Sequence, residues 1–548
     1  MSCYAISIGG TGARCIESLI HLCAMGLGPK RLYILMIDPD EANYNVNRTQ
    51  TLITRYLTLK KRLGLPSDSS DFPLFKTEIT FSKDKNGQPI YLWTPVGEKK
   101  TLKTYFEFPR LPKEYKDLAK LLYTEGELEL EWDQGFRGRA SVGAPVMAGI
   151  AQKTADEPWY SLIQDIKETL NQDFAKLFIF ATIFGATGAS GFPTVAKILR
   201  DISEEWTNRG KFKIGGALLL PYFSYRIPPE KEKEIYARPE HFLLNAKTAL
   251  SHYHFLWQHI PSPYDAIYLI GDQTMDSQGR EFGEGGTKQK NSVHYIELLS
   301  ALAALHFYQS ESRAERENYQ YYAGRNEESN IYWEDIPFSK EKELELEHQM
   351  LFFSSLAIAY LSFYSPLIRN PKFEEKWELT PWAADSFKKG SLSLRLAREE
   401  QKELAYYFCS YLKWLCEIHL STDRDLKMLN KAALKIVLTS LTGTDDITEA
   451  LTKDEFKEEI NVEDNTFKNL LHPGARTYTP IKYGYDELWE MMCQMKEKPT
   501  TKKEVGGAGI TETDSEIGKF VTGKLLLFLY TAIKRFCNKN YDLKIEEE

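Results

Sequence analysis

Residues Phe178 to Pro193, FIFATIFGATGASGFP, join an apolar run to a turn of small residues, Gly185, Ala186, Thr187, Gly188, Ala189 and Ser190. A helical pattern from Thr194 to Ile202 follows. Glycines let backbone N–H groups crowd around an anion, Thr and Ser hydroxyls add donors, and a helix starting there directs its positive end at the same point. That chemistry suits a nucleotide polyphosphate. The competing reading is close packing in an ordinary strand-to-helix turn. A Walker A loop is excluded, because no Gly-Lys-Ser/Thr follows.

The amino terminus repeats the arrangement. An apolar run from Tyr4 to Ile8 leads through Gly9, Gly10, Thr11, Gly12 and Ala13 into a helix with Ile16, Leu19, Ile20 and Leu22 on one face. A strand at Leu32 to Ile37 ends in Asp38-Pro39-Asp40, and an acid at that place in a nucleotide-binding α/β sheet meets a ribose or a base. Gly138 to Pro145, with Gly143 inside it, is a third small-residue segment. Gly215 to Tyr225 forms a further strand and loop, and a helix–strand pair follows at 240–258 and 266–271. Lys290-Asn291-Ser292 then opens a long apolar helix. The Asn291 amide offers a donor and an acceptor to a base at once, or caps that helix.

FGATGASGFPTVAKI resembles the GGGTGSG signature of the tubulin/FtsZ superfamily, with Thr187, Gly188 and Pro193 in register. Gly185 and Ala186 stand for the second and third signature glycines, and Ser190 for the last. The order of the other segments is similar to that family over about 300 residues, with Asn291 in the place of its guanine-binding Asn. The resemblance implies bound GTP or GDP with Mg²⁺, held by residues 9–13, 138–143 and 185–191, and Asp40 reaching the metal through water. It also implies head-to-tail self-association, with hydrolysis of the γ-phosphate at the contact between subunits. The family's catalytic Asn-x-Asp-x-x-Asp/Glu motif is absent at its spacing, and Glu334 and Asp335 are the nearest candidates for the catalytic acid. Two other readings stay open. One is a non-hydrolysing switch or scaffold whose helical half docks a protein partner. The other is a Rossmann-type NAD(P) oxidoreductase, disfavoured because Gly9-Gly10-Thr11-Gly12 lacks the GxGxxG spacing.

Strands alternating with helices predict an α/β fold, a mostly parallel sheet flanked by helices, over residues 1–312. Within it, 67–131 reads as an insertion containing a hairpin, Glu78 to Trp93, that turns at Lys85-Asn86-Gly87. From 313 to 548 the chain is mainly helical, with patterns at Glu343 to Tyr364, Leu394 to Leu420, Leu426 to Leu441 and Ile517 to Asn538. At 548 residues and 43% hydrophobic, core is plentiful. A net charge of −8 and no basic, aromatic-interleaved stretch argue against nucleic acid. Seven scattered cysteines without a CxxC pair fit reduced thiols and a cytoplasmic protein, as does the lack of a basic leader before Ile6. Met350 to Ile368 carries too many Ser and Tyr for a membrane span and reads as a buried helix. Cys15 has two readings, a thiol acidified by the helix dipole or a packed core residue. His294 and His306, twelve apart, do not form a zinc pair.

Overall fold

A computed structural model describes residues 2–63, 73–96, 101–229, 237–272, 283, 285–310, 319–323, 340–360, 398–419, 421, 526, 529 and 530. They fall into two compact units. The first contains the described residues within 1–20, 29–51 and 77–328; the second contains those within 21–28, 52–76 and 329–548.

The first unit is built on a parallel sheet. Its strands are β1 (Ser2–Ile8), β2 (Arg31–Ile37), β3 (Glu78–Thr80), β6 (Leu92–Trp93), β8 (Ala175–Thr182), β9 (Phe212–Leu219), β10 (Ala266–Ile270) and β11 (Tyr319–Ala323). The order across the sheet is β11-β10-β9-β8-β1-β2-β3, and β6 also pairs with β2. Every pairing in it is parallel. β8 and β9 are buried along their whole length, which is why FIFAT and IGGALL read as continuous apolar runs. The helices are α1 (Gly9–Ala24), α2 (Tyr44–Leu63), α3 (Leu102–Tyr105), α4 (Lys113–Leu122), α5 (Glu125–Leu128), α6 (Ala140–Ala148), α7 (Trp159–Gln172), α8 (Ala186–Ser203), α9 (Phe242–His259) and α10 (Tyr295–Gln309). A short strand β7 (Asp133–Phe136) precedes α6.

The central helix α10 lies against β8, β9 and β10. Its last turn is held by a lysine from the sheet: Lys176 Nζ on β8 donates to the carbonyls of Phe307, Tyr308 and Ser310 at 3.2, 3.0 and 2.5 Å. A cation there satisfies the orphan carbonyls of a helix end and complements its dipole.

The hairpin is smaller than its sequence pattern suggests. Only β4 (Ser82–Lys83) and β5 (Pro89–Ile90) pair antiparallel, around the 84–87 turn, while their flanks β3 and β6 join the main sheet beside β2. β11, which carries the sheet one strand past β10, has no counterpart in the sequence reading.

The second unit contains the last turn of α1, most of α2, α11 (Lys340–Ala359) and α12 (Arg398–His419). Aromatic side chains fill it. Phe353 meets Phe408 and Tyr411 at 5.6 and 4.7 Å between ring centroids, and the buried His21 ring packs on Trp414 at 4.8 Å. Of the other expected C-terminal helices, 426–441 lies outside the described residues, and in 517–538 Leu526, Leu529 and Tyr530 are helical.

Candidate functional site

β1 connects to β2 on one side of the sheet, whereas β8 lies on the other side of β1, so the chain order reverses between β1 and β8. In open α/β sheets, ligands bind outside the carboxyl ends of the strands at such a switch point. Here two helices start at that point. α1 begins at Gly9, whose φ of +80° makes the turn, and α8 begins at Ala186 after an extended Gly185 that provides no side-chain cap. The two starts touch: a Cβ on Gly9 would lie 3.5 Å from Thr187 Cβ and 3.9 Å from Gly188 N. Neither helix has an acid in its first turn. The first backbone bond of α8 runs from Ala189 N–H to Gly185 O at 2.9 Å, so the N–H groups of the turn before it have no acceptor within the helix. Two positive helix ends therefore face one open cleft.

Gly9, Gly10, Thr11, Gly185, Ala186, Thr187, Gly188, Asp40 and Asn291 all line this cleft, so the structure brings these sequence-selected residues together. Five others pack behind it. Gly12 sits against the Phe180 carbonyl, Ala13 is fully buried, and the Ala189 carbonyl accepts from Tyr253 Oη. Ser190 Oγ turns back to the Ala186 and Thr187 carbonyls at 2.8 and 3.2 Å, so it is no ligand donor. Gly143 lies inside α6, where it makes room for Ser190 and Phe136. The helix begins eight residues earlier than Thr194, because a run of small residues that reads as a turn is also compatible with a tightly packed first helical turn. Glu334 and Asp335 lie outside the described residues.

Asn291 is not a helix cap. His294 holds that position, with its Nδ1 accepting from Ile296 N–H at 3.2 Å and the Glu297 carboxylate accepting from His294 N–H at 3.0 Å. Asn291 stands ahead of this capping box, beside Gln289, in the cleft wall.

The carboxyl end of β2 supplies the acids. Asp38 is buried and its pKa is pushed up to about 8, chiefly by loss of solvent and secondarily by the neighbouring Asp40 charge, against hydrogen bonds from Asp40 N–H and Asn43 that favour the ionised form. The Asp40 carboxylate accepts from Ala42 N–H at 3.1 Å and Gly286 N–H at 2.8 Å, tying the 285–288 segment to the β2 end. Among the described residues no group of three or more His, Cys, Asp or Glu is placed to hold a metal.

Several lining residues were not singled out in the sequence. Asn45 is 1% exposed, and among the described residues both ends of its amide lack a hydrogen-bond partner. Arg14, 0% exposed, also lines the cleft. Arg137, at φ 44°, turns the chain after β7, and beside it Gly138, at φ 79° and the first residue of the expected 138–143 segment, lines the cleft. Phe184, Phe223, Tyr225 and Phe242 form an aromatic wall, with Phe184–Phe242 centroids at 4.9 Å and Tyr225–Phe242 at 5.9 Å. The Phe-Ser-Tyr loop in the sequence was the available signal for it. Cys15 is fully buried and burial pushes its thiol pKa up, so the helix dipole does not make it reactive.

Among known proteins, no family model matches the chain, and no curated protein matches it by sequence. Among solved structures it is similar to CetZ2 from Haloferax volcanii, described as a GTPγS-bound protofilament. Identity is 13%, the match covers 56% of this chain and 59% of that one, and the TM-score is 0.24. The matched region thus spans about three fifths of that protein's length. So loose a superposition carries no argument about function. Among the described residues, no helix is long and apolar enough to cross a membrane.

Proposed function

We propose that the chain is a tubulin-like nucleotide-binding protein that holds GTP, with Mg²⁺, in the cleft between the starts of α1 and α8. The observation that carries this reading is the convergence of two acid-free helix N-termini, Gly9 touching Thr187, at the switch point of a parallel sheet. The Gly9–Thr11 and Gly185–Gly188 backbones take the phosphates. The aromatic wall and the amides of Asn45, Gln289 and Asn291 take the nucleoside. Guanine is favoured by Asn291 and by the resemblance of the 184–193 motif to the tubulin/FtsZ signature. Asp40 would be the protein's outer contact to Mg²⁺, whose charge would offset that of the phosphates; among the described lining residues the carboxylates are Asp38 and Asp40, and both are already hydrogen-bonded.

When bound, the metal offsets the charge on the β and γ phosphates. The chain's own residues bind and orient; among the described lining residues, neither carboxylate stands ready to direct water. Asp38 is largely protonated at neutral pH and Asp40 is committed to backbone N–H groups. This favours a subunit that hydrolyses GTP slowly alone, with head-to-tail self-association completing the site, or a switch that does not hydrolyse at all and docks a partner through its helical half.

Calorimetric titration of the full chain with Mg²⁺–GTP tests the reading. The expected result is one saturable site per chain, with turnover per subunit that rises with protein concentration if subunits complete one another. Flat turnover removes the assembly step and leaves the switch. Absence of GTP binding, or purification with bound NAD(P), removes the GTP reading.

A further inference from the structure

The guanidinium of Arg14 is fully buried, and most of it is spent within the protein. Nε donates to Glu297 Oε1 at 2.7 Å, and Nη2 pairs with the same oxygen at 2.7 Å while reaching Thr11 Oγ1 at 3.2 Å and Tyr222 Oη at 3.3 Å. Among the described residues Nη1 has no hydrogen-bond partner, yet Arg14 forms part of the cleft wall. Resting on the nucleotide reading above, we propose that Arg14 is a ligand-binding residue whose Nη1 donates to a polyphosphate oxygen, and that Glu297 is the residue that positions it.

The geometry explains why this arginine is poised. Glu297 sits in the first turn of α10, where Oε2 accepts His294 N–H and Oε1 accepts from Tyr222 Oη at 2.5 Å. The carboxylate is therefore fixed by the helix start, and it fixes two of the three guanidinium nitrogens. The buried pair is neutral overall, so Arg14 adds directed hydrogen bonds more than net charge. A guanidinium presents these as a rigid planar fork that matches an oxyanion. A buried N–H left unpaired is costly, and an arriving phosphate oxygen would remove that cost. Thr11, which Arg14 also touches, belongs to the acid-free first turn of α1, so the guanidinium and the helix end act on the same ligand group. The contact also ties the bound phosphate to the start of the central helix.

The test compares the full-length protein with R14K, E297Q and R14Q/E297Q, each titrated calorimetrically with Mg²⁺–GTP, inorganic tripolyphosphate and guanosine. R14K keeps a cation for Glu297 but loses the fork. It is expected to weaken GTP and tripolyphosphate about 10- to 100-fold, the range for a hydrogen bond to a charged group, and to leave guanosine unchanged. In a further R14K/E297Q variant the E297Q and R14K effects on tripolyphosphate should be non-additive, because one acts through the other. If R14K does not fold, the neutral R14Q/E297Q pair should show the same selective loss. A merely structural role would lower thermal stability and weaken all three ligands alike, and this overturns the inference, as does undiminished phosphate affinity in either variant. GTP binding tighter than tripolyphosphate identifies a nucleotide as the source of the phosphates, and equal affinities identify free polyphosphate. Wild-type protein that binds tripolyphosphate but not GTP defeats the nucleotide reading and leaves Arg14 testable; wild-type protein that binds neither defeats both.

Discussion

At the scale of single residues, the cleft is organised by polar groups whose needs the protein leaves unmet or holds in an unusual state. Asn45 is the simplest case, an amide with neither end paired among the described residues, at a depth where an unmade hydrogen bond costs about 1–3 kcal/mol. Asp38 is the other. Its carboxyl ordinarily ionises near 3.8 and here does so at about 8, so between those values the folded chain holds a proton that the unfolded chain has released. By linkage, the ligand-free protein loses stability as pH rises from about 4 to about 8, and Asp38→Asn should flatten that decline in a series of thermal melts. The same proton matters for an anionic ligand. Below about 8 the neutral acid tolerates phosphate nearby; above it the carboxylate repels phosphate, so GTP affinity should fall as pH passes 8 in wild type and not in Asp38→Asn. An affinity that is level from pH 6 to 9 in wild type would contradict the placement of Asp38 beside the ligand.

At the scale of elements, the site depends on how closely α8 approaches β8. Gly188 makes that approach possible, since a Cβ there would lie 2.4 Å from the Thr182 carbonyl oxygen and 2.8 Å from Thr182 N. Gly188→Ala must push the helix off the strand, at an overpacking cost of about 1–3 kcal/mol. The expected outcome is a lower melting temperature together with lost GTP binding, and a variant with unchanged melting and affinity would show that the first turn of α8 does not form the site. Much of this element level was legible in the sequence. The apolar runs at Ile34, Phe178 and Leu218 are strands because both faces are covered, and strand-then-glycine marked the helix start at Gly9. Two features were not legible. The start of α8 was hidden because Ala186 to Gly191 has turn composition, and only packing against Thr182 and Ile8 shows the segment to be helical. The capping box at His294 was hidden because histidine is an uncommon cap, so Asn291 took its place in the pattern.

At the scale of the whole molecule, the chain divides into a sheet-centred unit that contains every residue of the cleft and a helical unit rich in aromatic contacts. The boundary was only partly readable. A linear cut near 312 follows the change from alternating strands to helical periodicity, but the sheet continues to β11 at Tyr319–Ala323, and the second unit recruits 21–28 and 52–76 from the first sixth of the chain. Local pattern shows which face of a helix is apolar, not which body buries it; α1 serves the cleft at its first turn and the aromatic cluster at its last. The aromatic wall was missed for a similar reason, because Phe184, Phe223 and Phe242 come from three separate segments that only the sheet brings together.

That two helix starts at one switch point hold a nucleoside triphosphate is tested most directly by a crystal structure of the full chain with Mg²⁺ and GTPγS. The expected phosphate oxygens lie within about 3.2 Å of backbone N–H groups in the Gly9–Thr11 and Ala186–Gly188 turns. A nucleotide bound elsewhere on the chain, or a cleft that stays empty at saturating nucleotide, would contradict it.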